Sequence, residues 1–137
     1  MSEVLPPMSL DDVLITQALS ERSPRTPNLK AETQALHLLA RQLAEQSQAV
    51  LQTLATVAKD LCQAGTAGVS LLEVTPDGEE VFRWSALAGE LAGCEGETTP
   101  RNFSPCGICL DLQTPQLFAH PERYFTYFQQ AKLTIVE

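Results

Sequence analysis

Residues 33–63 lie within the longest stretch of this chain without glycine or proline, and they are rich in Ala, Leu and Gln, which are good helix formers. Within this stretch a set of mostly apolar residues recurs at alternating spacings of four and three. That spacing places the set along one seam of a helix and is typical of a coiled coil or helix bundle. The seam consists of Leu36, Ala40, Leu43, Ser47, Val50, Leu54, Val57 and Leu61.

The seam is weakest at Ser47, and serine is a competent N-cap. One long helix and two helices that meet near residue 47 therefore both fit the sequence. The seam itself has two interpretations: it packs inside the chain, or its first half pairs with the same helix of a second chain. The second interpretation predicts a dimer interface at Leu36, Ala40, Leu43 and Val50.

The flanking segments predict an α+β fold. Residues 1–31 are expected to be a leader, with a short amphipathic helix in "DDVLITQALSER" and a proline-containing linker in "SPRTPNLK". After the long helix, "AGVSLLEVT" and "EEVFRWSALAG" read as two strands joined by the turn "TPDG". Alternation along the second strand places Phe82, Trp84 and Ala86 on one face.

The C-terminal third begins with a glycine-rich polar loop at residues 89–102. "SPCGICLD" then predicts a short helix, with Ser104 as N-cap and Pro105 at the first helical position. A strand-like run, "PQLFAHP", and an aromatic helix, "PERYFTYFQQA", follow. Because "KLTIVE" reads as a strand that is only beginning, we expect the natural chain to continue beyond Glu137.

Charge and composition narrow the partners and the location. The net charge of −8 and the scattered basic residues argue against a nucleic-acid partner. No apolar run approaches the roughly 20 residues of a membrane helix, and the acidic N-terminus does not resemble a secretory signal. Four irregularly spaced cysteines are not typical of a disulfide framework and predict reduced thiols. A cytoplasmic protein is the expectation.

The strings "AGVSLLE", "EEVFRWSALAGELA", "GETTPRNFSPCGICLD" and "QLFAHPERYF" together resemble a GAF domain, of the type found in cyanobacterial sensor histidine kinases and multi-domain signalling proteins. The resemblance implies a profilin-like antiparallel sheet with helices on one face and a small-ligand pocket under residues 98–110. It covers nearly the whole chain, since "DDVLITQALSERSPRTPNLKAETQAL" also resembles the leader that precedes such domains. The expected organisation is a leader at residues 1–31 and a sensory domain at residues 32–137 that begins with the helical dimerisation segment. The resemblance also implies that the last strands and a C-terminal helix follow Glu137.

The chemistry of the candidate site leaves several alternatives. Cys106 and Cys109 could bind a metal, act as redox-active thiols or pack as small apolar residues; we favour packing, because no second metal-ligand pair accompanies them. Arg101 offers either a cation for a ligand or a salt bridge to Asp111 or Glu97. The residues predicted to contact a ligand are Trp84, Arg101, Phe103, Ser104, Cys106, Cys109, Phe118 and His120.

Within the GAF resemblance a bilin cofactor is not expected, because the helix at residues 121–131, which matches the usual attachment helix, has no cysteine. No catalytic motif or metal set appears, and His37 lacks the acidic neighbour that usually follows a phosphorylated histidine. The sequence therefore predicts a non-enzymatic sensory domain at the N-terminus of a cytoplasmic two-component or similar signalling protein. It would bind an unknown small molecule, form a homodimer and act on a C-terminal output domain. A dimerisation module without ligand and a thiol-based redox sensor are the alternatives.

Overall fold

The computed structural model describes residues 8–131 and 135–137, and these divide into two compact units. One unit spans Arg25–Pro100, and the other joins the segment before Arg25 to Arg101–Glu137. This division differs from the predicted leader of 1–31 and sensory domain of 32–137. In chain order the helices and strands are α1 (Ala18–Glu21), α2 (Leu29–Glu45), α3 (Val50–Cys62), β1 (Thr66–Val74), β2 (Glu80–Gly89), β3 (Thr98–Pro100) and α4 (Pro105–Leu112).

The long Gly- and Pro-free stretch folds as two helices, so the two-helix alternative is confirmed. Asn28 caps α2, and its side chain accepts a hydrogen bond from the Ala31 N–H at 3.1 Å. A 3-10 turn at Ser47–Ala49 separates α2 from α3. Gln63 ends α3 in the left-handed conformation with φ of 52°.

The sheet has three antiparallel strands in the order β1–β2–β3, which confirms the predicted hairpin and the α+β class. Trp84 pairs with Ser70 and Ala86 pairs with Val69, so Ser85 is an extra residue on β2 and forms a β-bulge.

The bulge corrects one prediction. Ala86 packs against Ala55 of α3, whereas a Cβ added to Gly68 would meet Leu87 and, at 3.2 Å, the Trp84 ring. Trp84 therefore lies on the opposite face of the sheet from Ala86. The prediction that these two residues share a face is wrong, because the inserted Ser85 shifts the alternation by one residue.

In the second unit, residues near the N-terminus are part of the core. Val13 has no exposed surface and clusters with Phe118 and Phe125. The Ile15 N–H donates to Leu117 O and the Ala119 N–H donates to Val13 O, both at 2.8 Å. The run at residues 115–121, which was predicted to be strand-like, forms an isolated β-bridge between Phe118 and Leu14.

Two predicted helices are shorter or tighter than expected. The leader helix is reduced to a 3-10 turn at Leu10–Asp12 and the four-residue α1. The predicted aromatic helix forms two 3-10 stretches, Pro121–Arg123 and Thr126–Ala131, and the turn between them packs Phe125 into the core.

Part of the predicted strand "KLTIVE" lies outside the described residues, at positions 132–134. Residues 135–137 have no regular secondary structure, although Val136 O accepts a hydrogen bond from the His120 N–H at 3.0 Å. Over the ranges 8–131 and 135–137, no helix combines the length and the apolar character needed to cross a bilayer.

Candidate functional site

The predicted ligand residues are divided between the two units. Trp84 belongs to the Arg25–Pro100 unit. The other seven belong to the unit that contains Arg101–Glu137; they are Arg101, Phe103, Ser104, Cys106, Cys109, Phe118 and His120. The geometry of the site is therefore described for those seven, which lie on or near a turn and helix at residues 101–112, here called the corner.

The corner begins with a helix cap of the predicted kind. Ser104 is 1% exposed, and its Oγ accepts a hydrogen bond from the Gly107 N–H at 3.1 Å. Pro105 occupies the first turn, where a missing N–H costs nothing. Ser104 thus acts as a buried structural cap.

Arg101 folds back over α4. Its guanidinium Nη2 lies 2.6 Å from Asp111 Oδ1. Of the two salt-bridge partners that the sequence suggested, Asp111 and Glu97, this ion pair uses Asp111. The hydrogen bond from Arg101 holds the pKa of the Asp111 carboxyl below its ordinary value. Gly107 fits beneath this arm because a Cβ there would lie 2.2 Å from Arg101 O. The ion pair therefore ties the turn to the helix.

Phe103 joins the corner to an aromatic cluster. Its ring centroid lies 5.3 Å from that of Tyr124, 5.2 Å from that of Phe125 and 6.0 Å from that of Tyr127. Such tilted and edge-on pairs add stability beyond their buried area. Phe118 contacts the same cluster through Phe125, at 5.9 Å. Phe103 is nevertheless 39% exposed, so one side of the cluster faces solvent.

Tyr127 is a site residue that the sequence reasoning missed. Its hydroxyl oxygen is buried and has no hydrogen-bond partner among the described residues. Burial raises the pKa of Tyr127, and the negative charge of an ionised Cys106 would raise it further. The phenol is therefore neutral, and its unpaired O–H lies within electrostatic range of Cys106. The aromatic run at residues 121–131 is the sequence feature that could have indicated a role for Tyr127.

Cys106 and Cys109 are both half-buried, and the four cysteines, all within the described residues, form no disulfide. Cys109 packs against the cluster of Val13, Phe118 and Phe125, which agrees with the favoured packing interpretation for that residue. In the part of the chain that the structure describes, no group of three or more His, Cys, Asp or Glu residues could hold a metal ion.

His120 lies at the edge of the corner in a left-handed conformation, with φ of 47°. Its Nδ1 is 3.5 Å from Glu122 Oε1, and its side chain is 40% exposed. The imidazole thus has an acidic neighbour on its own turn.

The predicted dimer-interface residues lie mostly on an exposed stripe of α2. Leu36 and Leu43 are 67% and 61% exposed, and Leu29, one heptad before Leu36, is 69% exposed. The half-buried face of α2 is a different one, formed by Ala31, Ala35, Leu39 and Gln42. The interpretation of the whole seam as intrachain core is therefore wrong for its first half. Ala40 is also exposed, and Val50 is half-buried.

Comparisons with known proteins give no relative: no protein-family model, curated protein or solved structure matches the chain.

Proposed function

We propose that the chain is a non-enzymatic regulatory domain, of the GAF-like sensory type, in a cytoplasmic signal-transduction protein such as a two-component histidine kinase. It pairs with a second copy through α2, and its corner responds to an unidentified small molecule. An output domain that follows it in the full-length protein would receive the signal. The observation that carries this proposal is the exposed stripe of α2.

The stripe has the pattern of a coiled-coil seam. Leu29, Leu36 and Leu43 are seven residues apart, and Ala40 lies between the last two on the same side. Full burial of a leucine stabilises by roughly 1.5–3 kcal/mol. These leucines are already about a third buried, so six of them from two copies would contribute roughly 6–12 kcal/mol. That contribution is comparable to an association cost of about 4–15 kcal/mol. An unpaired surface of this kind is typical of an interaction site.

The polar residues beside the seam suit a parallel arrangement. With the three leucines at heptad position d and Ala40 at position a, Glu32 and His37 occupy the g and e positions that flank the seam. In a parallel pair, Glu32 of one copy lies beside His37 of the other.

Sedimentation equilibrium of the whole chain tests the pairing. We expect a dimer for the unmodified protein and a monomer for the double variant Leu36→Lys with Leu43→Lys, because two lysines per copy would be buried in the seam. Leu38→Lys is the matched control, since Leu38 is 40% exposed and lies on the opposite side of α2. Dissociation by the control variant, or a monomeric unmodified chain, would contradict the proposal.

A thermal-shift screen with small molecules, cyclic nucleotides included, tests the sensory part. A ligand of the folded state raises the midpoint temperature by mass action. A dimer that responds to no compound would leave the dimerisation role in place and remove the sensory one.

A further inference from the structure

We propose that Cys106 and Cys109 form a reversible disulfide that reshapes the corner. This inference concerns a modification site on α4 and does not depend on the pairing of α2.

The two thiols are placed for such a bond. Both residues belong to α4 and lie three positions apart. Helix geometry then sets their Cα atoms about 5 Å apart, within the roughly 4.4–6.8 Å that disulfides span. Both residues are half-buried, so neither is sealed inside the core.

The surroundings match those in which reactive cysteines are found, namely beside cations and in the first turn of a helix. Cys106 directly follows Pro105, the first residue of α4. The Arg101 guanidinium supplies a cation at the same turn of α4, since its Nη1 is 3.1 Å from the point where a Cβ of Gly107 would stand.

The reaction is thiol–disulfide exchange with a low-molecular-weight disulfide, written RSSR. The Cys106 thiolate attacks one sulfur of RSSR, forms a mixed disulfide and releases RS⁻. The Cys109 thiol then loses its proton and attacks Cys106 Sγ, and the second RS⁻ leaves and takes that proton. Two protein thiols are oxidised and one RSSR is reduced to two thiols.

The bond would change the corner because a helix holds residues three apart with their Cβ atoms about 5–6 Å apart. A disulfide needs about 3.8 Å. The first turn of α4 must therefore tighten around Gly107, which already contacts Arg101 and the Ser104 cap. Cys109 must also move relative to the Val13, Phe118 and Phe125 cluster that it contacts. Strained disulfides are the readily reduced ones, as a reversible switch requires.

The test uses the whole chain equilibrated with oxidised glutathione, quenched in acid, alkylated and mapped by mass spectrometry. We expect a product two hydrogen atoms lighter, with Cys106 joined to Cys109, and the same product when Cys62 and Cys94 are both replaced by Ser. In Cys109→Ser the glutathione adduct at Cys106 should exceed that of the unmodified chain by about tenfold or more, because an intramolecular thiol normally displaces it quickly.

Reduced thiols or separate glutathione adducts at Cys106 and Cys109 in the unmodified chain would overturn the proposal, as would their pairing with Cys62 or Cys94. The peptide map of the unmodified chain decides this by itself if Cys109→Ser does not fold. Exposed Cys62 serves as the internal standard for thiol accessibility.

Discussion

Gly107 shows how a single residue determines the shape of the corner. The backbone of Arg101 crosses α4 directly above it, at 2.2 Å from where a Cβ would stand. The missing side chain lets the Arg101–Asp111 ion pair and the Ser104 cap form at the same place.

We therefore expect Gly107→Ala to be destabilising. The added methyl meets backbone rather than a flexible side chain, and overpacking of this kind costs about 1–3 kcal/mol or more. Urea unfolding should show the loss. Gly93→Ala is the control, because a Cβ at Gly93 meets nothing within 4 Å. Equal effects of the two substitutions would contradict the packing described for the corner.

The Arg101–Asp111 pair gives a pH dependence whose sign follows from the lowered pKa of Asp111. The folded carboxyl has a pKa below its ordinary 3.8. Its stabilisation is therefore present above that value and is lost as the pH falls through the folded pKa. Asp111→Asn should flatten the acid side of the stability curve, measured as urea midpoints between about pH 5 and pH 2.

The control for this prediction is Asp77→Asn in the exposed turn between β1 and β2, which leaves the Arg101–Asp111 pair intact, so the acid loss that this pair causes should remain. An Asp111→Asn curve as steep as that of the unmodified chain would show that the ion pair contributes little, as is common for exposed pairs.

For single residues, the sequence predicted the structural role correctly where that role depends on neighbours within a few positions. Ser104 and Pro105 occupy the capping positions predicted for them, since both signals act within one helical turn. The contacts of Phe103 with Tyr124 and Tyr127 join residues more than 20 positions apart. Aromatic composition alone does not indicate which rings meet, so the Tyr127 hydroxyl was missed.

Among the helices and strands, α2 has one exposed face that the sequence spacing indicated and one half-buried face that it did not. The spacing of Leu36, Ala40 and Leu43 predicted that these residues share one side of the helix, but it did not reveal that this side is exposed. The half-buried face mixes the small Ala31 and Ala35 with Leu39 and Gln42, so a search for large apolar residues does not find it. The exposed leucines on the other side of this 17-residue helix are the basis of the proposed pairing.

The strand β2 shows the limit of periodicity. Alternation predicts faces only while the two strands of a pair advance together, and one extra residue reverses the prediction from that point. Ser85 is that residue, and no feature of "VFRWSALAG" distinguishes it. The position of Trp84 could therefore not be deduced from the alternation.

At the scale of the whole molecule, the N-terminal residues that read as a leader take part in a core with the C-terminal third. Val13, Leu14 and Ile15 hydrogen-bond or pack with residues 117–119. Pairing between segments about 100 residues apart leaves no periodic signal, and the prolines at residues 24 and 27 made this segment resemble a linker.

We predict that Val13→Ala weakens the unit that contains Arg101–Glu137. Removing two buried carbons leaves a cavity beside Phe118 and Phe125 and costs about 2 kcal/mol. Hydrogen exchange should accelerate at the amides of Ala119 and Phe125. Leu19→Ala, at a residue 46% exposed, should change stability by no more than about 0.5 kcal/mol. Unchanged exchange in Val13→Ala would show that the segment is dispensable.

The central claim, that α2 pairs in parallel with a second copy, is tested most directly by same-site crosslinking. In a chain with Cys62 and Cys94 replaced by Ser, Ala40→Cys should form a covalent dimer under mild oxidation, because a parallel seam brings the two position-40 side chains together. Arg41→Cys, one residue further round the helix, should crosslink far less. Equal crosslinking at the two positions, or none at position 40, would contradict the account.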